Sequence, residues 1–235
     1  LLLAKAEFQE ANYLRSITTF MYITKIYSSN PDIVAECQLW ISRAYAEMGW
    51  MYESGNMLHK MEITGGIPES QQGLYSAVKA NYLIRTYDYA AAIPFLETAI
   101  KKEKDKHQKL RLKYLLGQVY MKAGDKQKAD KAFASVQGLN TPYKYTFNAK
   151  LQQIDLNSSQ RKEDVISSLS KMTKSSKNKD YLDQLYYKIG KVYLQYQDTV
   201  KATENLTKAI KESTRNGYDK TIAQITLGDL YFNQR

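Results

Sequence analysis

The 235-residue chain is 43% hydrophobic and carries a net charge of +10, enough apolar material for a sizeable core. The charge reads either as a soluble basic surface or as attraction for an acidic partner or acidic lipid headgroups. No run of 18 apolar residues occurs, which excludes a membrane-spanning helix; the single cysteine, Cys37, excludes an internal disulfide framework and a cysteine-based metal site.

Helical hairpins follow one another along the chain. Unit 1–31 closes at Asn30-Pro31-Asp32, where Pro ends one helix and Asp32 is expected to start the next. Its opening, Leu1-Leu2-Leu3 followed by Ala4-Lys5-Ala6-Glu7, has no cleavage-site pattern and reads as the interior of a longer chain. Unit 32–68 ends in Thr64-Gly65-Gly66-Ile67-Pro68, the strongest breaker present. Unit 69–105 holds Pro94 near the start of its second helix, where it should bend the helix mildly rather than end it. The charge-rich run 101–109 reads as a solvated connector.

Unit 106–140 is the clearest. Leu112, Leu115, Leu116 and Val119 recur at helical spacing, and Gly117 at mid-helix permits close contact. Gly124-Asp125 stops one helix and caps the next, which carries Ala129, Ala132, Phe133 and Val136 on one face. Unit 141–175 opens at Asn140-Thr141-Pro142, a cap followed by Pro at the first helical position. A long turn at 156–160 precedes its second helix, over 161–173. The polar connector 171–180 leads into unit 176–217, which ends near Asn216-Gly217. A seventh first helix, over 220–232, lies within the partial unit 218–235.

Aligned on the residue matching Gly117, the first helices give Ala4, Ser42, Ala80, Gly117, Ala149, Gly190 and Gly228, in steps of 38, 38, 37, 32, 41 and 38 residues. Three residues on stand Tyr45, Leu83, Tyr120, Tyr193 and Tyr231. Eight residues on comes a cap at Asn12, Asp88, Asp125, Asn157 and Asp198, with Trp50 breaking the rule. Twelve residues on, the second helix carries Ser16, Ser54, Ala92, Ala129 and Ala202.

No catalytic constellation accompanies these repeats. His59 and His107 lack a second His or a carboxylate at the spacing of a helical metal site and read as surface residues. No phosphate-cradling GxxxxGK[ST] or GxGxxG occurs. Cys37 has no base nearby in sequence and reads as packed between helices. The reading is a non-enzyme without cofactor or metal. The 20 tyrosines, which with basic neighbours can stack on single-stranded RNA, read as helix packing. Arginines are few and dispersed, against a nucleic-acid stripe.

This pattern resembles the tetratricopeptide repeat along nearly the whole chain. The resemblance implies an all-α fold: a right-handed superhelical solenoid of about six and a half helix-turn-helix units, taken as one domain over 1–235. Its inner face is built from the first helices, and one stripe, at −6, −3, +1, +4 and +5 from the small residue, lines the groove. Here that stripe selects Leu39, Arg43 and Glu47; Leu74, Asn81 and Arg85; Arg111, Tyr114, Gln118 and Lys122; Tyr143 and Lys150; and Gln184, Tyr187 and Lys191. Such a groove suits an extended or helical peptide of acidic character, with Tyr supplying contact area and Arg forked hydrogen bonds. Asn81 stands at one position of the family's clamp for a C-terminal carboxylate. The other Lys and Asn positions do not match, so that clamp is not implied.

A closer resemblance rests on the order and lengths of the units, on YLLGQVYMKAGDKQKADKAFASVQGLNTPYKYTFNAKLQ (114–152) with the shortened fifth unit behind it, and on SKNKDYLDQLYYKIGKVYLQ (176–195). These are similar to the repeat region of the PorW (SprE) family of type IX secretion and gliding lipoproteins. The resemblance implies a periplasmic scaffold linking the PorK/PorN ring to the translocon, held at the outer membrane by a lipid anchor upstream of this sequence. Two other readings stay open: the sensor or ligand-binding region of a larger signalling protein, and an RNA-binding helical repeat.

Overall fold

A computed structural model describes residues 1–64, 66–138, 141–156, 161–214 and 217–233. Among these residues there are thirteen α-helices and no strands. They are α1 (Leu2–Gln9), α2 (Tyr13–Ile26), α3 (Pro31–Glu47), α4 (Met51–Ile63), α5 (Gln72–Arg85), α6 (Tyr89–Lys102), α7 (Lys106–Lys122), α8 (Lys126–Ala134), α9 (Tyr143–Leu156), α10 (Lys162–Thr173), α11 (Leu182–Gln195), α12 (Thr199–Lys211) and α13 (Tyr218–Asn233). Short 3₁₀ turns at Glu69–Gln71 and Ser176–Tyr181 lead into α5 and α11. No helix among the described residues is long and apolar enough to cross a membrane. The chain divides into two compact units, Leu1–Ala149 and Lys150–Arg235, with the boundary inside α9.

Five of the hairpins share one steric device, which α9/α10 lacks because exposed Arg161 stands twelve positions after Ala149. The aligned small residue of the first helix and the one twelve positions later are both buried in Ala4/Ser16, Ser42/Ser54, Ala80/Ala92, Gly117/Ala129 and Gly190/Ala202. Small side chains let the two backbones approach, and the serines do so without stranding a hydroxyl. Ser16 Oγ donates to the Ala4 carbonyl at 2.8 Å, and Ser42 Oγ lies 3.1 Å from the Ser54 carbonyl and 3.0 Å from Ser54 Oγ. Four residues beyond the second small position comes a bulky apolar side chain that fills the seam: Phe20, Leu58, Leu96, Phe133 and Leu206, all essentially inaccessible to water. This sixteenth-residue signal lies in the sequence as a series, of which the helical-face reading picks out Phe133 alone.

The turns are equally regular. Seven residues after the small position the backbone enters the left-handed region, at Ala11, Gly49, Tyr87, Gly124 and Gln197 (φ between 59° and 86°). The next residue is the N-cap. Asp88, Asp125 and Asp198 accept from the backbone N–H three positions on, at 2.9 to 3.1 Å, as expected of capping aspartates. Asn12 and Trp50 hold the cap position without a side-chain bond; the Trp50 ring instead stacks on Tyr45, 5.8 Å between centroids. Asn157, the expected fifth cap, lies outside the described residues, as do Gly65, Asn140 and Asn216.

Several boundaries correct the sequence reading. Asn30, not Asp32, starts α3: its side chain accepts from Ile33 N–H at 3.2 Å, with Pro31 in the first turn. The connector read over 101–109 shrinks to 103–105, because α6 continues through Pro94 to Lys102 and α7 begins at Lys106, capped by Asp105 on Gln108 N–H at 2.7 Å. Helix α9 begins after Pro142 rather than at it. In 171–180, Asn178 is buried and donates from Nδ2 to the Met172 carbonyl at 2.7 Å.

Candidate functional site

Within the N-terminal unit, first helices α3, α5 and α7 bring three guanidinium groups into one electrostatic neighbourhood. Arg43 is half-buried, its guanidinium 4.9 Å from the Phe8 ring and 5.0 Å from the Trp40 ring. These cation–π contacts fix the head group on an aromatic floor. Phe8 and Trp40 meet edge to face at 5.1 Å, and Lys5 lies over the same Trp40 ring while pairing with Glu36 at 2.6 Å. The repeat pattern does not contain this aromatic support; its one sequence signal is Trp40, three residues before an arginine and so on the same helix side.

Burial lowers the pKa of Arg43; Glu47 works against that shift, while Arg111 and then Arg85 add to it by repulsion. Glu47, one turn further along α3, pairs with Arg85 of α5 at 2.6 Å. Arg111 on α7 is exposed and has no ion pair among the described residues. Among the charged groups acting on Arg43, Glu47 is the carboxylate and Arg111 and Arg85 are further cations. Gln118 and Lys122 are exposed further along α7, and Asn81 is half-buried on α5.

The other stripe residues divide by position. At the −3 position Leu39 is buried and Tyr114 and Tyr187 are half-buried. Leu39 is fully buried with Leu58 and Tyr75. Tyr114 packs edge to face on the buried Phe133 at 5.4 Å, and Tyr187 packs against the Leu206, Ala209 and Ala223 core. A first helix contacts the helices before and after it, so its buried sector is wider than a single hairpin requires. Leu74 likewise packs on the Leu39 core, and Gln184 donates from Nε2 to Asp219 at 2.9 Å. Tyr143 is half-buried in the N-terminal unit; Lys150 and Lys191 are exposed in the C-terminal one.

Tyrosines with buried rings keep their hydroxyls bonded at the edge. Tyr75 donates to Glu62, which also pairs with Lys79, and Tyr120 donates to Glu97, each tyrosine bond at 2.6 Å. His59 and His107 are exposed. Cys37 is buried in the first core, and burial pushes its thiol pKa up to about 11, far from a reactive thiolate. No group of three His, Cys, Asp or Glu among the described residues could hold a metal ion.

Residues 110–141, the α7/α8 hairpin, match the sequence profile of the Tetratricopeptide repeat family. No curated protein matches the chain. Among solved structures, YrrB, described as a TPR protein with an unusual peptide-binding site, superposes with a TM-score of 0.53 at 19% identity, over 87% of this chain and 96% of that one. TTC0263, a thermophilic TPR protein in Thermus thermophilus, gives 0.45 at 12% identity over 99% and 97%. MamA from Desulfovibrio magneticus RS-1 gives 0.45 at 14% identity over 89% and 90%. Residues 110–141 thus match one tetratricopeptide repeat, and the described residues form consecutive α-helical hairpins, an all-α fold that YrrB shares.

Proposed function

We propose that this chain is a non-catalytic protein–protein interaction scaffold whose α3/α5/α7 face takes an acidic peptide segment. The observation that carries the reading is the concentration of arginine there: Arg85 and Arg111 lie within electrostatic reach of Arg43, with Glu47 as the carboxylate that acts against them. A guanidinium presents two parallel N–H donors to a carboxylate, and Arg43 is held in place by its rings before any ligand arrives. The peptide-binding description of YrrB is in keeping with this use of the fold.

We assign the scaffold to a type IX secretion machine, in the periplasm at the outer membrane, linking a PorK/PorN ring to the translocon. The support is the likeness of 114–152 and 176–195 to the repeat region of the PorW (SprE) family. The test is co-purification of ring and translocon components with the wild-type chain and with Arg85→Ala/Arg111→Ala/Lys122→Ala. Loss of capture in the variant supports the reading; capture unchanged by it removes the arginine face from the proposal. Capture of a kinase or transcription-factor partner instead favours the sensor reading. Salt-dependent retention of a labelled RNA with a slope of several phosphate contacts favours the RNA reading.

A further inference from the structure

Charge is not spread evenly along the chain. Residues 101–131 hold eleven Lys or Arg against four Asp or Glu, so this stretch carries +7 of the chain's net +10. Part of it faces a cavity. Lys106, Lys109 and Lys113, with Leu110, Gly138 and Thr141, line an open recess of about 300 Å³ in the N-terminal unit. The three lysines stand at i, i+3 and i+7, one row along α7 about 10 Å long. Neither Lys106 nor Lys113 has an ion pair among the described residues, and Lys109 reaches only the Glu103 carbonyl at 3.3 Å.

This placement works against stability. The first turns of α7 contain no acid and begin Lys106-His107-Gln108-Lys109, at the helix end where the backbone dipole is positive. Each cation there is unfavourable by about 0.3–1 kcal/mol at an exposed site. Asp105 caps this end through Gln108 N–H at 2.7 Å, yet no carboxylate pairs with Lys106, Lys109 or Lys113 among the described residues. An anion in the recess reverses the sign, since ammoniums and helix end then attract the same charge.

We propose that this recess is a binding site for a phosphate-rich anion, a linear polyphosphate or polyphosphate ester. Three ammoniums over about 10 Å exceed what one anionic group can pair with. Lysine acts as a point charge toward phosphate, and no arginine fork for a planar carboxylate lies in the row. Leu110, between the lysines, offers an apolar floor to an ester group, and Thr141 completes the lining. Arg111 is roughly 160° round the helix from the row by the 3.6-residue period, so this site is separate from the arginine face.

The test is calorimetric titration of the whole chain with inorganic tripolyphosphate at two salt concentrations. Three proteins are compared: wild type, Lys106→Gln/Lys109→Gln/Lys113→Gln, and the charge-matched control Lys201→Gln/Lys208→Gln/Lys211→Gln on α12. Saturable binding weakened at least about tenfold in the α7 variant, less than about twofold in the control, and with a shallower salt slope in the α7 variant supports the site. The α7 variant should melt no lower than wild type, because it removes cations from a positive helix end. Equal weakening in both variants, or no saturable binding, overturns the proposal. So does a glutamate-rich peptide that competes as well as tripolyphosphate, which would make the recess a protein contact. Arg85→Ala/Arg111→Ala should leave the titration unchanged, so failure here and failure of the arginine face remain distinguishable.

Discussion

Three glycines occupy the same register position in different surroundings, and replacing each with alanine should give three different signs. An alanine in a helix interior is favoured over glycine by about 1 kcal/mol. At Gly117 the new Cβ would come 2.7 Å from Phe133 Cε1 and 2.9 Å from two further ring atoms. That ring is fully buried and held by Tyr114, so it has little room to turn; overpacking of this kind costs about 1–3 kcal/mol. Gly117→Ala should therefore destabilise the chain by about 1 kcal/mol net. At Gly190 the contacts are Leu206 Cγ at 3.1 Å and Cδ2 at 3.2 Å, on a side chain with rotamers to spare, and the two effects should nearly cancel. At Gly228 the Cβ meets nothing within 4 Å, and Gly228→Ala should stabilise α13 by up to about 1 kcal/mol. Urea unfolding followed by far-ultraviolet circular dichroism, with amide-exchange protection of α7, α11 and α13 to localise each change, reads the series. Repeat arrays can unfold in parts, which makes the local readout necessary. Introducing Phe133→Leu beside Gly117→Ala should recover part of the loss, a coupling of about 1 kcal/mol between touching residues. The reasoning fails if Gly117→Ala stabilises as much as Gly228→Ala, or if Phe133→Leu shows no coupling to it.

Gln197→Gly should raise stability by up to about 1 kcal/mol, and Tyr87→Gly by less because its ring meets Tyr89; both relieve a left-handed backbone, as thermal melts would show. The carboxyl of Asp125 is held below its usual pKa, first by the Lys128 backbone N–H it accepts. Its contribution is complete above the unfolded carboxyl range and fades as pH falls through the lower folded pKa, so Asp125→Asn should flatten the acid limb of an unfolding titration. Burial and the bond to Glu97 push the Tyr120 hydroxyl up to about 12. The stabilisation is present below the unfolded tyrosine value near 10 and is lost as pH rises toward 12, so Tyr120→Phe should remove one late step from the tyrosinate absorbance titration. Glu47→Gln releases Arg85 from its ion pair; it should tighten binding of an acidic peptide about threefold or more at a stability cost below about 1 kcal/mol, measured by fluorescence anisotropy.

The amino-acid sequence alone determined the hairpin count, the small-residue register, the aspartate caps at 88, 125 and 198, and the Gly124 turn. Each is a local steric or hydrogen-bonding demand: a close helix crossing admits only Ala, Ser or Gly, and a free N–H end calls for a short acceptor. Asn30 and Asp32 can both cap, and only the backbone path selects Asn30. Tertiary structure alone decided which side of each first helix is free. Leu39, on the predicted groove stripe, is buried against Leu58 and against Tyr75 of the next hairpin, while Tyr114 and Tyr187 on the same stripe are half-buried; the flank that a following hairpin covers is a fact no single helix period contains. The repeat spacing already puts Arg43, Arg85 and Arg111, separated by 42 and 26 positions, on one expected stripe; tertiary structure adds the Phe8 and Trp40 rings beside Arg43 and the pairing of Glu47 with Arg85. It made equals of Gly117 and Gly228 in register and opposites in environment, because the space beside a glycine belongs to whatever other helix lies there.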